Sequence, residues 1–258
     1  MSELFSIQLQ NRQQQGRDGV WLDLPTTTEQ VQAALRQIGI SSDNPQGLFI
    51  SGYFAEEEKR FAIPYNMVLA SNVDELNFLA SRLETLSTGE RAELNAALQA
   101  PQSELFSIGR ITDFPENVDY YVHLPDVHGP AQLGDYYLNR SGMVDMPEEW
   151  KGGIDTAQFG RYVAQQEQGA FTEYGYLVKS GDAWQKVHEG QPVPEEYRVL
   201  SFPAPEVLRD SANIPPPVQP ETEPQKVIPI ILNGKDSAER MKEITDRLET
   251  GIQQLFDS

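Results

Sequence analysis

Hydrophobic and polar residues alternate from the start of the chain, at Phe5, Ile7 and Leu9, which predicts a half-buried strand followed by a polar connection from Asn11 to Gly19. Val20 to Leu24 predicts a second strand that Pro25 stops, and Gly47 to Phe54 a third. Between them, three threonines offer an N-cap for a helix lined by Val31, Leu35 and Ile38 that ends near Gly39. From Asn72 the period lengthens. Val73, Leu76, Leu79, Leu83 and Leu86 recur every three or four residues, and Asn72 with Glu75 has the spacing of a capping box. Ser87 and Glu90 repeat that box before Leu94, Ala97 and Leu98, so a helical hairpin is expected up to Pro101.

The second half mixes shorter pieces. Val118 to Leu124 predicts a strand; Leu133, Tyr136, Tyr137 and Arg140 predict a helix that Ser141-Gly142 ends; and Pro147 opens an acidic turn. Ile154, Phe159 and Tyr162 form another apolar stripe, Phe171 to Val178 alternates like a strand, and Tyr197 to Phe202 is strand-like. The hexapeptide Ser-Glu-Leu-Phe-Ser-Ile occurs at residues 2–7 and 103–108, but the contexts differ. The first copy continues a strand, whereas Ser103 of the second reads as the N-cap of a short helix.

Past Phe202 the composition changes, with eight prolines between Pro203 and Pro229, which predicts an extended linker. Beyond it Asp236 is positioned to cap an amphipathic helix with Met241, Ile244, Leu248, Ile252 and Leu255 on one stripe. The expected architecture is therefore α+β. An elongated body comprises an α+β domain over 1–70, a helical domain over 71–117 and a second α+β domain over 118–202, followed by the linker and helix over 203–258.

Charge narrows the function. The 39 acidic against 20 basic residues leave a net charge of −19, spread as −6, −9 and −4 over residues 1–100, 101–202 and 203–258. Such a chain repels nucleic acid, so direct duplex binding is not expected. Acidity of this kind commonly keeps a protein dispersed. It also permits imitation of DNA, since duplex carries roughly one charge per 1.7 Å and 19 charges match about one helical turn. No apolar run reaches the ~18 residues of a membrane span and no signal region opens the chain, which makes the cytoplasm the expected compartment.

Candidate chemistry is sparse. There is no cysteine, and the string His123-x-x-Asp126-x-His128 sits on a strand end and turn without a third clear ligand. No phosphate-binding loop, nucleophile elbow or zinc-protease signature occurs. No catalytic, cofactor-binding or metal-binding residue is assigned, and no cofactor is expected.

Trp21-Leu-Asp-Leu-Pro, Leu48-Phe-Ile-Ser-Gly-Tyr, Asn72-Val-Asp-Glu-Leu-Asn-Phe-Leu-Ala, and Leu133-Gly-Asp-Tyr-Tyr-Leu followed by Ile154-Asp-Thr-Ala-Gln-Phe-Gly-Arg-Tyr together resemble the ArdA-type antirestriction proteins over about residues 5–178. The resemblance implies a dimeric, acidic mimic of DNA that occupies the DNA-binding groove of type I restriction-modification enzymes. The carboxylates expected to form the mimic surface are Glu56, Glu57, Glu58, Asp74, Glu75, Glu84, Asp135, Asp145, Glu148, Glu149 and Asp155. Tyr136, Tyr137 and Leu138 are dimer candidates, with ordinary core packing as the competing reading. Gly52-Tyr53-Phe54 departs from the Asp-Tyr-Glu common in the family, and Ala55 to Ala70 is longer than usual. Residues from Ala238 onward resemble the opening helix of ArdC-type antirestriction proteins. The alternative function is a non-catalytic protein–protein adaptor of a bacterial mobile element, with the tail recruiting the partner.

Overall fold

The computed structural model describes residues 3–14, 18–56 and 60–204. The expected linker and amphipathic helix, together with Glu57 and Glu58, lie outside the described residues. Those described form an α+β fold with two small antiparallel sheets.

Strand β1 (Phe5–Asn11) alternates buried and half-buried positions along its length, as its sequence alternation requires. It pairs on one side with β2 (Val20–Leu24) and on the other with β3 (Leu48–Phe54), giving the order β2-β1-β3. A register shift between Gln8 and Leu9 marks a bulge against β3. Phe5, Ile7 and Leu9 join Val31 and Leu35 of α1 (Thr28–Gln37) in the core. Thr27 and Gln30 close a capping box at the start of that helix.

The long loop after β3 is not irregular throughout. Its second half folds as α2 (Tyr65–Ala70) and buries Val68, while Phe61 and Ile63 reach the core ahead of it. Asn95 clamps the loop in place: its Oδ1 accepts from the Ala62 N–H at 2.8 Å and its Nδ2 donates to the Arg60 carbonyl at 3.1 Å.

Both expected capping boxes form. Asn72 and Glu75 cap α3 (Val73–Leu83), and Ser87 and Glu90 cap α4 (Thr88–Gln99). The nearest neighbours of α3 are α5 (Ile108–Thr112) and β2, whereas α4 lies against β4 (Tyr121–Leu124) and β6 (Gly175–Lys179).

Three expectations need correction here. Ser103 caps no helix: its Oγ accepts from the Leu105 N–H, and α5 starts only at Ile108, with Ser107 as cap. Residues Val118–Tyr120 form a 3-10 turn, so β4 is shorter than its hydrophobic run. Phe171 to Val178 is a hairpin, β5 (Ala170–Thr172) and β6, and not one strand. The turn closes because Gly175 takes a φ of 120° and the Thr172 hydroxyl donates to its carbonyl. The second sheet has the order β4-β6-β5.

Between β4 and β5 run α6 (Pro130–Asp135), a π-helical turn over Tyr136–Arg140, α7 (Glu148–Lys151) and α8 (Thr156–Glu167). Helices α6 and α8 touch at the backbone. A Cβ at Gly134 would stand 1.9 Å from the Thr156 carbonyl oxygen, and one at Gly160 would stand 1.8 Å from that of Pro130. Only glycine fits either position. The buried face of α8 is therefore centred on Gly160, beside Val163 and Ala164, and Tyr162 of the expected stripe is 60% exposed.

After β6 the chain returns as an extended strap over residues 180–204, and Tyr197 to Phe202 makes no strand. Side chains hold it instead. The Asn117 Oδ1 accepts from Gln185 N–H, buried Asp113 accepts from the N–H groups of His188 and Glu189, and Asp74 accepts at 2.7 Å from those of both Val199 and Leu200. Asn77 donates to the Tyr197 carbonyl, and the Ser42 N–H donates to that of Pro203, so the strap spans from the second sheet to the first. The larger core cluster runs from Leu4 to Val199, and a smaller one gathers Val127, Leu133 and Tyr176.

Candidate functional site

The carboxylates named from sequence have different fates. Asp145 and Glu149 are exposed and make no ion pair among the described residues. Glu148 is also exposed and pairs only with its helix neighbour Lys151, at 2.6 Å. Asp155 projects at the start of α8, where its Oδ1 accepts from the Gln158 N–H at 3.0 Å. These four lie within eleven residues of sequence, on and around the two short helices α7 and α8. Asp135, half-buried beside them, is held below the usual carboxylate range by Asn139 and by Arg140, whose guanidinium it binds at 2.7 Å.

In the first half the same residue type is more often engaged with the backbone. Glu75 exposes its side chain but closes the Asn72 capping box, and Asp74 is the acceptor that fixes the end of the strap. Glu84 is half-buried at the C-terminal end of α3, and Glu56 is exposed at the end of β3. Beyond the named residues, Asp18, Asp23, Glu29, Asp43, Asp119, Asp126, Glu173, Asp182, Glu195 and Glu196 are also exposed. The acidic surface thus reaches both sheets and the helices between them.

Not every acid contributes charge. Burial, with Glu90 and Asp119 nearby, pushes the Glu93 carboxyl up to about 8, so it is mostly neutral at pH 7. Glu104 goes the other way: the Lys179 ammonium holds it low, and buried Arg110 binds both Glu104 and Glu189. These cations lock α5 to the second sheet and the strap.

The dimer candidates pack inward in part. Leu138 is buried, and Tyr136 and Tyr137 are half-buried against the smaller core, their rings edge-to-face at 5.4 Å. The Tyr137 and Tyr176 hydroxyls both donate to Glu167, and burial together with that carboxylate raises both phenols well above their ordinary range. His123 of the metal-like string bonds through Nε2 to the Tyr174 carbonyl, 2.7 Å away. No group of three or more metal-ligating side chains occurs among the described residues.

A family model described as antirestriction protein (ArdA) matches residues 15–178, from the first hairpin through β6. The chain belongs to the ArdA family of antirestriction proteins. Membership makes it a member of a non-catalytic inhibitor family that acts on restriction enzymes. No curated protein matches the chain. No helix among the described residues is long and apolar enough to cross a membrane.

The matched region contains the Gly134–Gly160 contact, which gives a physical reason for two of the motifs behind the ArdA resemblance. Leu133-Gly-Asp-Tyr-Tyr-Leu and Gln158-Phe-Gly-Arg-Tyr are the two sides of one backbone contact. Sequence reading found both strings and missed their pairing, because nothing local in either indicates that its glycine faces the other. The strap beyond Lys179 lies outside the ArdA match.

Proposed function

We propose that the chain is a non-enzymatic mimic of DNA whose surface carboxylates occupy the DNA-binding groove of a type I restriction-modification enzyme. What supports the reading most is the distribution of exposed carboxylates on an ArdA body: they extend over both sheets, and few are neutralised by a neighbouring cation. In the complex, Lys and Arg groups that otherwise bind phosphates meet Glu56, Glu57, Glu58, Glu75, Glu84, Asp135, Asp145, Glu148, Glu149 and Asp155; Asp74, expected among them from sequence, is committed to the strap. Asp145, Glu148, Glu149 and Asp155 carry the largest share, since they project from short elements and do not hold distant parts of the fold together. The chain itself binds no duplex and needs no cofactor. The proposal includes a homodimer formed around Tyr136, Tyr137 and Leu138, with the half-exposed Tyr136 edge as the contacting surface.

The test is complex formation between the full chain and a purified type I enzyme, followed by sedimentation with and without excess duplex oligonucleotide. A complex that duplex dissolves is the expected result. A complex that duplex leaves intact, or none at all, overturns groove occupancy.

A further inference from the structure

Among the described residues, the sheet β2-β1-β3 has one face in the core and the other open. On the open face, cross-strand register brings Asp23, Ser6 and Phe54 into one row and Trp21, Gln8 and Gly52 into the next. The Trp21 ring lies over Gly52, where a Cβ would stand 3.0 Å from the indole Cη2, and it meets Phe54 edge-on with centroids 6.4 Å apart. Both rings stay in water: Trp21 is 49% and Phe54 58% exposed. Beside them a depression of about 220 Å³ is rimmed by Glu3, Asp23 and Glu56, and no basic side chain among the described residues lines it. Among the described residues, Asp23 accepts one hydroxyl bond, from Ser6 at 2.6 Å.

We propose that this open sheet face is an apolar anchor for an Arg- or Lys-bearing protein surface. Trp21 and Phe54 cover the aliphatic stem and Asp23 takes the cationic head. This assignment rests on the reading of the chain as an inhibitor that fills a basic groove, and it adds a contact that charge imitation does not supply. An arginine suits the site in both parts, since its guanidinium stacks on aromatic faces and bonds carboxylates. Exposed Trp is also the residue type most enriched where interface energy concentrates. The carboxylate rim disfavours nucleic acid and anionic lipid. A two-fold contact between two copies would set Asp23 and Glu56 against a like-charged rim, so a second copy is disfavoured as well.

The two kinds of contact differ in salt response. An ion pair weakens as salt is added, whereas an apolar anchor contributes nearly the same at all salt concentrations. The experiment measures binding of the full chain to a purified type I enzyme at several salt concentrations, for wild type, the Trp21→Ala/Phe54→Ala double variant, Trp21→Phe, and Asp23→Asn. The expected loss for the double alanine variant is about 30-fold or more with an unchanged slope of log affinity against log salt. Trp21→Phe retains most of the affinity, and Asp23→Asn flattens the slope. If the double alanine variant, melting like wild type, binds within about twofold of it, the anchor is refuted and the inhibitor reading stands. Should the alanine variant melt lower, Trp21→Phe decides: wild-type melting with no retained affinity refutes the anchor. Wild type that fails to bind overturns both.

Discussion

The helical stretch from α3 to α5 and the stretch between β4 and β5 use carboxylates in opposite ways. In the first, Asp113 and Asp74 turn inward to accept strap N–H groups, Glu75 caps α3, and Glu93 is partly buried and mostly neutral. In the second, Asp145 faces outward from the loop before α7, Glu148 and Glu149 from α7, and Asp155 from the start of α8, which the glycine contact holds to α6. The first region spends its acids on holding irregular backbone in place, because a strap without strand partners still needs acceptors for its N–H groups. The second spends only Asp155 in that way, as the N-cap of α8, since direct backbone contact keeps its helices together. Acidity alone therefore does not identify a mimic surface; the outward-facing acids do, once the internal acceptors are set aside.

The comparison breaks most visibly at the glycines. Gly134→Ala or Gly160→Ala places a methyl group within 2 Å of a backbone carbonyl oxygen that has no side chain to swing away. The expected cost is about 3 kcal/mol or more, read as a fall in thermal midpoint of ~6–12 °C. Gly89→Ala, with nothing within 4 Å, is the matched control and leaves the midpoint nearly unchanged.

Next in size is the strap. Asp113→Ala leaves the N–H groups of His188 and Glu189 without their acceptor and costs about 1–3 kcal/mol. Hydrogen exchange at those two amides accelerates in that variant, while the amides of α8 keep their protection.

The outward acids behave in reverse. The combined change Asp145→Asn/Glu148→Gln/Glu149→Gln leaves the melting midpoint within ~2–4 °C, because among the described residues only Glu148 is paired and an exposed pair contributes at most ~1 kcal/mol to the fold. Binding to a type I enzyme weakens about 10-fold to 100-fold with a flatter salt dependence, and each single change costs at most a few-fold. One substitution that abolished binding alone would sink distributed mimicry.

The smallest effect sharpens the contrast within the first region. The folded-state value of about 8 for Glu93 lies above its ordinary 4.5, so the folded chain holds that proton more tightly than the unfolded chain does. Its contribution to stability is fully present at acid pH and is lost as pH rises from about 5 to about 8. Glu93→Gln keeps the neutral form at every pH. Relative to wild type its midpoint rises by ~2–4 °C at pH 8.5 and is close to unchanged at pH 5.

What the sequence made legible follows the range of the interactions. The capping boxes at Asn72/Glu75 and Ser87/Glu90 and the alternation of β1 are local patterns, and each appears where expected. The β5–β6 hairpin read as one strand because its turn depends on a backbone angle at Gly175 that the alternation of Tyr174, Tyr176 and Val178 hides. The strap was legible only as a short strand-like run, since its bonds go to Asp74, Asn77, Asp113 and Asn117, from 68 to 126 positions away. For the same reason Asp74 read as surface charge when its oxygen is committed to Val199 and Leu200. Motif recognition supplied the family, whereas the separation of tethering acids from projecting ones required the fold.

The central claim is that this chain competes for a groove made for phosphates. It is tested by holding labelled duplex on a purified type I restriction-modification enzyme and titrating in the full chain at two salt concentrations. Phosphate mimicry requires displacement at low salt, progressively weaker at high salt, with the Asp145/Glu148/Glu149-neutralised variant acting only at higher concentration. Retention of the duplex at low salt, or displacement by the neutralised variant equal to that by wild type, would contradict it.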